Sequence, residues 1–191
     1  MQRRHVGALI FGLAALIAAQ PEARQAQRRV NPNAATIADF LKRVDTYVAL
    51  RKKSEATLPT LPKQTTPQQI DAHERALLKL IQEARKDAKQ GDVFTRPMQT
   101  LVKSLLRPVF RGRAGRQIRD EIVDNEYKGN VKLAPNARYP DDVPISTVPP
   151  QVLLSLPKLP DDLEYRFVQH YLILFDPHAH LIPDFMPRAF E

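Results

Sequence analysis

The 191-residue chain contains no cysteine, and this absence excludes several kinds of chemistry at once. Without cysteine there is no disulfide, no thiolate metal ligand, no thiol nucleophile and no lipid attachment at a signal-peptide cysteine. An exported protein without disulfides must be stabilised by its apolar core. The chain is long enough to bury such a core in one domain.

Local enzyme motifs are also absent. The sequence has no Gly-x-Ser-x-Gly, no His-Glu-x-x-His and no phosphate-binding loop. The acidic pairs Asp141-Asp142 and Asp161-Asp162 stand at proline-rich turns, where adjacent side chains diverge instead of sharing a proton. These features favour a protein that is not an enzyme and uses no cofactor. Catalytic groups can assemble from distant segments, so a hydrolase with a dispersed site is a third alternative.

Long apolar runs are scarce, and the longest lies at the N-terminus. Arg3 and Arg4 precede "VGALIFGLAALIAA", fourteen uncharged and mostly apolar residues from Val6 to Ala19. This length fits a signal peptide and is short for a membrane span of about 20 residues. We therefore predict a signal peptide at residues 1–19, with an uncleaved anchor as the alternative. A flexible leader is expected at residues 20–32, and the predicted location is the periplasm or the exterior.

The charge balance is basic. The formal net charge is +8, and removal of residues 1–19 takes away two arginines and no acid, which leaves +6. Outside the cytoplasm, a basic protein meets anionic lipid, lipopolysaccharide or cell-wall polymer and not nucleic acid. The predicted partner is therefore an anionic envelope component or another protein, and contact with a membrane surface is a further option. A soluble protein with a merely basic surface is the alternative.

Two long segments show the spacing of amphipathic helices. The first is expected to start after an N-cap at Asn33 and to end before "TLPTLPKQTTP". The second starts in a capping box in which Thr66 precedes Pro67 and Gln69, and it is expected to continue to a C-cap at Gly91. The apolar stripe of this pair could also form a homodimer.

Two further segments have the same character. The third helix is expected from Thr95 to about Phe110, and the fourth from about Arg113 to Glu126, where it should bury Ile118, Ile122 and Val123. Four amphipathic stripes can enclose a common core. Residues 33–127 therefore predict an antiparallel helical bundle.

The C-terminal part, residues 128–191, has a different amino-acid composition. From Pro135 to Pro160, seven of 26 residues are proline, mixed with valine, isoleucine and leucine. We expect an extended segment that buries its leucines and valines, with one helical turn near residues 151–155. The runs "EYRFV", "YLILF" and "HLIPDF" then predict a three-stranded antiparallel meander packed on the helices. The middle run is apolar on both faces and should be central, whereas Pro183 predicts an edge strand. The overall expectation is an α+β fold.

Three segments carry a resemblance to a known group of proteins. "IADFLKRVDTYVAL", "AKQGDVFT" and "LPDDLEYRFVQHYLILFDPHAHLIPDF" resemble a family of uncharacterised exported bacterial proteins. The resemblance spans residues 33–191 and implies a helical N-terminal part and a closing strand module, without an activity or a catalytic residue. The family pattern has a glycine in the first turn of that module, where this chain has Gln169 and His170.

His178 and His180 are the candidate metal ligands. On an extended strand residues i and i+2 point the same way, so both rings could bind one zinc or copper ion. Asp176, Asp184 or His170 could complete the ligand set, which makes a periplasmic metal-binding protein the alternative function. The competing interpretation is a polar turn in which Asp176 caps backbone amides.

His73 lies on the apolar stripe of the second helix, where a lone histidine is more often a core-edge residue than a ligand.

The densest positive run of the chain is "KSLLRPVFRGRAGRQIR", which contains no acid. Arginine guanidinium groups suit phosphate and carboxylate, so we predict anion binding by Arg107, Arg111, Arg113 and Arg116. Gly112 and Gly115 could let the backbone approach the anion. The alternative is a solvated helix face in which Arg116 pairs with Asp120.

Overall fold

The computed structural model describes residues 31–124, 133–145 and 147–190. The predicted signal peptide, residues 20–30 of the predicted leader, and residues 125–132, where the two predicted parts of the chain meet, lie outside these ranges. The described part has the α+β fold that the sequence predicts, with five helices, a three-stranded antiparallel sheet and a two-stranded one. No helix within it combines the length and the apolar character needed to cross a bilayer.

The helices and strands follow one another along the chain with most helices first. The helices are α1 (Pro32–Glu55), α2 (Pro67–Ala84), α3 (Arg96–Val109), α4 (Gly112–Asp124) and α5 (Pro150–Ser155). The strands are β1 (Ala137–Arg138), β2 (Glu164–Val168), β3 (Tyr171–Phe175), β4 (Leu181–Ile182) and β5 (Phe185–Met186). Helix α1 packs against α2 and α3, and α3 packs against α5.

The start of α1 differs from the prediction. Asn31, not Asn33, is the N-cap, and its side chain accepts a hydrogen bond of 3.0 Å from the Asn33 backbone N–H. Pro32 occupies the first turn, where its missing N–H costs nothing. The predicted leader therefore overlaps the helix at residue 32.

The start of α2 is confirmed and its end is not. Thr66 and Gln69 form the predicted capping box, with a bond of 2.8 Å from the Thr66 N–H to the Gln69 side chain. The helix stops at Ala84, well before Gly91, which lies in the following loop with φ +93°. The loop is held by contacts with distant residues, and these override the helical pattern.

Helix α3 matches the predicted segment, with Thr95 before its first residue and Pro108 in its last turn. Helix α4 also lies where it was expected. Ile122 is buried, but Val123 is 40% exposed, so its predicted burial is wrong.

The three-stranded sheet has the order β2-β3-β5, which confirms the central position of "YLILF". Its two faces enter different cores. Leu172 and Leu174 join the larger core, which also contains side chains from α1, α2, α3 and α5. Ile173 and Phe175 join a smaller core around Tyr139. Alternate side chains of β3 therefore enter the two cores, and the strand lies between them.

The third predicted strand is divided at Pro183. Leu181–Ile182 pairs with Ala137–Arg138 in the two-stranded sheet, whereas Phe185–Met186 pairs with β3 at the edge of the larger sheet. Proline has no N–H for a ladder, so the chain changes sheets at this residue. The expectation of one continuous edge strand is wrong.

The β2–β3 turn contains a residue with a positive φ angle. Gln169 has φ +54°, in the left-handed region that glycine adopts most easily. The turn is formed here without glycine.

Helix α5 confirms the predicted helical turn near residues 151–155, but the burial of its leucines is incomplete. Val152 is fully buried, whereas Leu153 is 44% and Leu154 is 88% exposed.

Candidate anion-binding site

The corner between α3 and α4 is built around two glycines. Gly112 has φ +67°, a conformation that other residues adopt only with strain. A Cβ atom on Gly115 would lie 2.2 Å from the carbonyl carbon of Phe110 and 2.5 Å from its oxygen. The backbone of α4 therefore packs directly on the end of α3. Gly115 serves this contact, so the expectation that it admits an anion to the backbone is wrong.

A surface cleft of about 580 Å³ lies beside this corner, and we call it the cationic cleft. It combines residues of α3, the corner and α4 with two residues from the end of the chain. Its lining consists of Thr100, Lys103, Ser104, Arg107, Phe110, Arg111, Arg119, Ala189 and Phe190.

The C-terminal residues supply an apolar wall to the cationic cleft. The Phe190 ring centroid lies 5.4 Å from that of Phe110, 5.5 Å from that of Phe167 and 5.4 Å from that of His170. The Ala189 N–H donates a 2.9 Å hydrogen bond to the His170 carbonyl. Ala189 and Phe190 are thus anchored to the β2–β3 turn and form part of the cleft lining.

The described residues of the cationic cleft carry charges of one sign. Lys103, Arg107, Arg111 and Arg119 line it, and the lining residues that the structure describes include no aspartate or glutamate. None of the ion pairs between described residues involves any of these four cations. Clustered cations on a partly apolar wall create a positive potential that attracts anions.

The two hydroxyl groups of the lining bind the backbone of their own helix. The Thr100 hydroxyl donates to the Arg96 carbonyl at 3.1 Å, and the Ser104 hydroxyl donates to the Leu101 carbonyl at 2.7 Å. Their protons are therefore committed within α3. An anion in the cleft would be held by the ammonium and guanidinium groups.

The structure brings together half of the predicted anion-binding set. Arg107 and Arg111 line the cleft, whereas Arg113 and Arg116 are exposed on α4 and lie outside its lining. Lys103 and Arg119 belong to the same basic run and take their place. The four-residue spacing of Lys103 and Arg107 places them on one face of α3, and Arg111 follows in the corner after the helix ends. The contribution of Arg119 requires the packing of α4 on α3. The Arg116–Asp120 pair that was the alternative is not among the ion pairs of the described residues.

The segment around His178 and His180 is a turn and not an extended strand. Asp176 and Leu181 form a β-bridge that closes it, and His180 has φ +48°. The Asp176 carboxylate accepts the backbone N–H groups of His178 at 2.9 Å and Ala179 at 3.3 Å. This confirms the competing interpretation of "DPHAH" as a capped turn. The i, i+2 geometry that would direct both rings to one metal is therefore wrong for this segment.

The side chain of His180 is half-buried in an aromatic and charged surrounding. Its ring contacts Tyr139 and Phe175 with centroid distances of 5.8 and 5.5 Å. Its Nε2 atom is 3.6 Å from Asp141 Oδ1. Burial lowers the pKa of His180, and the nearby positive charge of Arg138 lowers it further.

The other proposed ligands are engaged elsewhere. Asp176 is fully buried and accepts a 2.6 Å hydrogen bond from the Tyr47 hydroxyl, and burial raises its pKa. His73 Nε2 lies 3.9 Å from Glu55 Oε1, with 14% of the side chain exposed, so its position at the core edge is confirmed. No group of three or more histidine, aspartate or glutamate side chains in the described ranges is arranged to hold a metal ion.

Asp184 has a structural role that the sequence did not indicate. Its buried carboxylate accepts backbone N–H groups from Val93 and Phe94 at 2.8 Å each, from Phe185 at 2.8 Å and from Gly91 at 3.0 Å. The carboxylate thus connects β5 to the loop between α2 and α3. Burial raises the pKa of Asp184, and the four N–H donors oppose that rise.

Comparisons of the chain with protein-family profiles, with curated proteins and with solved structures give no match.

Proposed function

We propose that the protein is an exported, non-enzymatic binding protein of the bacterial envelope that holds an anionic envelope component in the cationic cleft. The observation that carries this proposal is the convergence of Lys103, Arg107, Arg111 and Arg119 on one cleft, with no carboxylate among the described residues that line it. Three of these cations are arginines, whose planar guanidinium groups form paired hydrogen bonds with phosphate and carboxylate.

Export is supported by the N-terminal sequence. Two arginines followed by fourteen uncharged residues have the order and length of a signal peptide. A cysteine-free chain stabilised by apolar cores suits a compartment in which thiols would be oxidised. Membership of the family of exported bacterial proteins is part of the same proposal, as is the periplasmic or secreted location.

The proposal includes an architecture finer than the α+β class. We take α1 to α4 as an antiparallel bundle and the proline-rich stretch as an extended cover. The packing of α1 on α2 and α3 supports the bundle. The burial of Val143, Val148 and Val152 supports the cover.

A sedimentation experiment tests the binding function. Purified mature protein is mixed with phosphatidylcholine vesicles that contain or lack phosphatidylglycerol, at low and at high salt. We expect pelleting only with the anionic vesicles and a decrease at high salt, because salt screens contacts between exposed charges. An Arg107→Gln, Arg111→Gln variant should bind roughly tenfold more weakly, since exposed ion pairs contribute up to about 1 kcal/mol each and about 1.4 kcal/mol corresponds to a factor of ten.

The matched control is an Arg113→Gln, Arg116→Gln variant. It removes the same charge from the same basic run, but from residues outside the cleft lining. We expect it to pellet like the wild type. Equal weakening of the two variants would show that net charge, and not the cleft, drives binding, and pelleting that is independent of salt would also contradict the proposal.

Export has its own test, which is fractionation of cells that express the full chain. We expect a processed protein outside the cytoplasmic membrane. An intact chain among the cytosolic proteins would contradict it and would restore nucleic acid as a candidate partner.

A further inference from the structure

We infer that the cationic cleft recognises a phosphate group attached to an apolar chain, which is the chemistry of a phosphorylated amphiphile. The inference rests on the proposed anion-binding function and deepens it by naming the ligand class. It depends on two features that line the same cleft: a cluster of cations and the rings of Phe110 and Phe190.

The size of the cleft favours more than a bare anion. Its volume is about 580 Å³, which corresponds to roughly 20 water molecules at about 30 Å³ each. A free phosphate would occupy a small part of this space. Ligand sites of about 300–1,000 Å³ commonly hold molecules that combine a polar group with an apolar body.

The wall of the cleft provides the apolar contact. Phe110 is buried and Phe190 is half-buried, with their ring centroids 5.4 Å apart. Ala189, beside Phe190, is 1% exposed. Because Phe110 and Ala189 are already shielded from water, Phe190 offers the apolar area that ligand carbon can cover, and such burial is favourable in proportion to the area covered.

The cations provide the headgroup contact. Arg107 lies in the last turn of α3, Arg111 follows in the corner between α3 and α4, and Arg119 approaches from α4. A tetrahedral phosphate presents several oxygens, so it can accept from more than one guanidinium group, whereas a single carboxylate has only two oxygens. This difference favours phosphate over carboxylate as the headgroup.

Calorimetric titration with a series of probes tests the inference. The probes are inorganic phosphate, butyl phosphate, hexyl phosphate and octyl phosphate, each below its micelle concentration and at constant ionic strength. We expect the dissociation constant to fall along the series, by roughly tenfold from inorganic phosphate to octyl phosphate. The Arg107→Gln, Arg111→Gln variant should weaken every probe roughly tenfold, whereas Arg113→Gln, Arg116→Gln should leave all of them within about twofold.

A Phe190→Ala variant tests the apolar contact separately from the contact with the phosphate headgroup. It should abolish the gain with chain length and leave the affinity for inorganic phosphate unchanged. Because Phe190 also packs on Phe167, its thermal unfolding is measured in parallel, and the chain-length series in the wild type tests the inference even if the variant is unstable.

The outcomes distinguish the amphiphile inference from the proposed anion-binding function. Equal affinity for all four probes, still weakened by the Arg107→Gln, Arg111→Gln change, would overturn the amphiphile and leave anion binding intact. Absence of binding to every probe, or equal weakening by both double variants, would overturn both.

Competition with anionic vesicles identifies the source of the ligand. Displacement of the protein from vesicles by octyl phosphate would assign a bilayer lipid to the same cleft. Octyl phosphate binding without displacement would support a free amphiphile.

Discussion

Replacing Asp184 by asparagine keeps the shape of the side chain and exchanges one carboxylate oxygen for an NH₂ group. In the native protein Oδ1 accepts from Phe185 at 2.8 Å and from Gly91 at 3.0 Å. Oδ2 accepts from Val93 and Phe94 at 2.8 Å each, with a longer contact of 3.2 Å to Gly91. An amide can serve only one of these two groups of donors.

The better orientation of the amide keeps the oxygen on Val93 and Phe94. The Phe185 N–H then faces an NH₂ group, so a buried donor loses its partner, and the Gly91 contact weakens. A buried polar group without a partner costs about 1–3 kcal/mol. With one such donor and one weakened bond, we expect Asp184→Asn to lower the free energy of unfolding by about 2–4 kcal/mol.

Urea unfolding followed by circular dichroism measures this change. The control is Asp161→Asn, because Asp161 is exposed and surface substitutions of this kind usually change stability by less than about 0.5 kcal/mol. The reasoning would be refuted if Asp184→Asn stayed within about 0.5 kcal/mol of the wild type with an unchanged denaturant slope. Such a result would mean that the four backbone contacts do not stabilise the loop between α2 and α3.

Three further predictions concern the α3–α4 corner and the histidine turn. Gly115→Ala should destabilise the protein by about 1–3 kcal/mol in urea unfolding, because the new methyl group overlaps the Phe110 backbone; a gain of about 1 kcal/mol, which helix propensity alone predicts, would contradict the packing. The lowered pKa of His180 means that its neutral form favours the folded state above its unfolded pKa of about 6.5 and that this stability is lost as the pH falls. The urea midpoint should therefore decrease as the pH is lowered from about 7.5 to about 5.5, and this decrease should be smaller in His180→Asn than in His178→Asn. Identical pH profiles of the two variants would refute this role. Zinc titration should give the same heats for the wild type and for His178→Ala, whereas a one-to-one binding event lost in the variant would restore the metal hypothesis.

Features that depend only on residues close together in the sequence could be predicted from local patterns. The capping box of Thr66 and Gln69 depends on side chains three residues apart, so it could be predicted without tertiary contacts. The central position of β3 follows from its apolar residues on both faces. The Asp-Pro turn could be predicted as one of two interpretations, because a short polar run between apolar runs suits both a strand and a turn.

Tertiary contacts decided the features that the sequence did not reveal. The apolar stripe of α2 continues beyond Ala84, but the loop that follows is held by Asp184, about ninety residues later in the chain. The two-residue strand β1 has no periodicity of its own and forms only because β4 lies beside it. Elements of this length do not carry a pattern that can be recognised locally.

Part of the candidate site could be predicted from the sequence, and part of it could not. The basic run could be recognised because its residues are close together in the sequence, and its density of positive charge predicted Arg107 and Arg111. The presence of Phe190 could not be predicted, because it comes from the end of the chain and reaches the cleft through the β2–β3 turn. Arg113 and Arg116 were included because charge alone does not indicate which side of α4 faces the cleft.

The most direct test of the account is nuclear magnetic resonance of the mature protein, with the arginine side-chain N–H signals assigned, during titration with pyrophosphate at constant ionic strength. Shifts concentrated on Arg107, Arg111 and Arg119 are predicted, with Arg113 and Arg116 unaffected. Uniform small shifts of all arginines, or the largest shifts at Arg113 and Arg116, would contradict the assignment of the cationic cleft as the binding site.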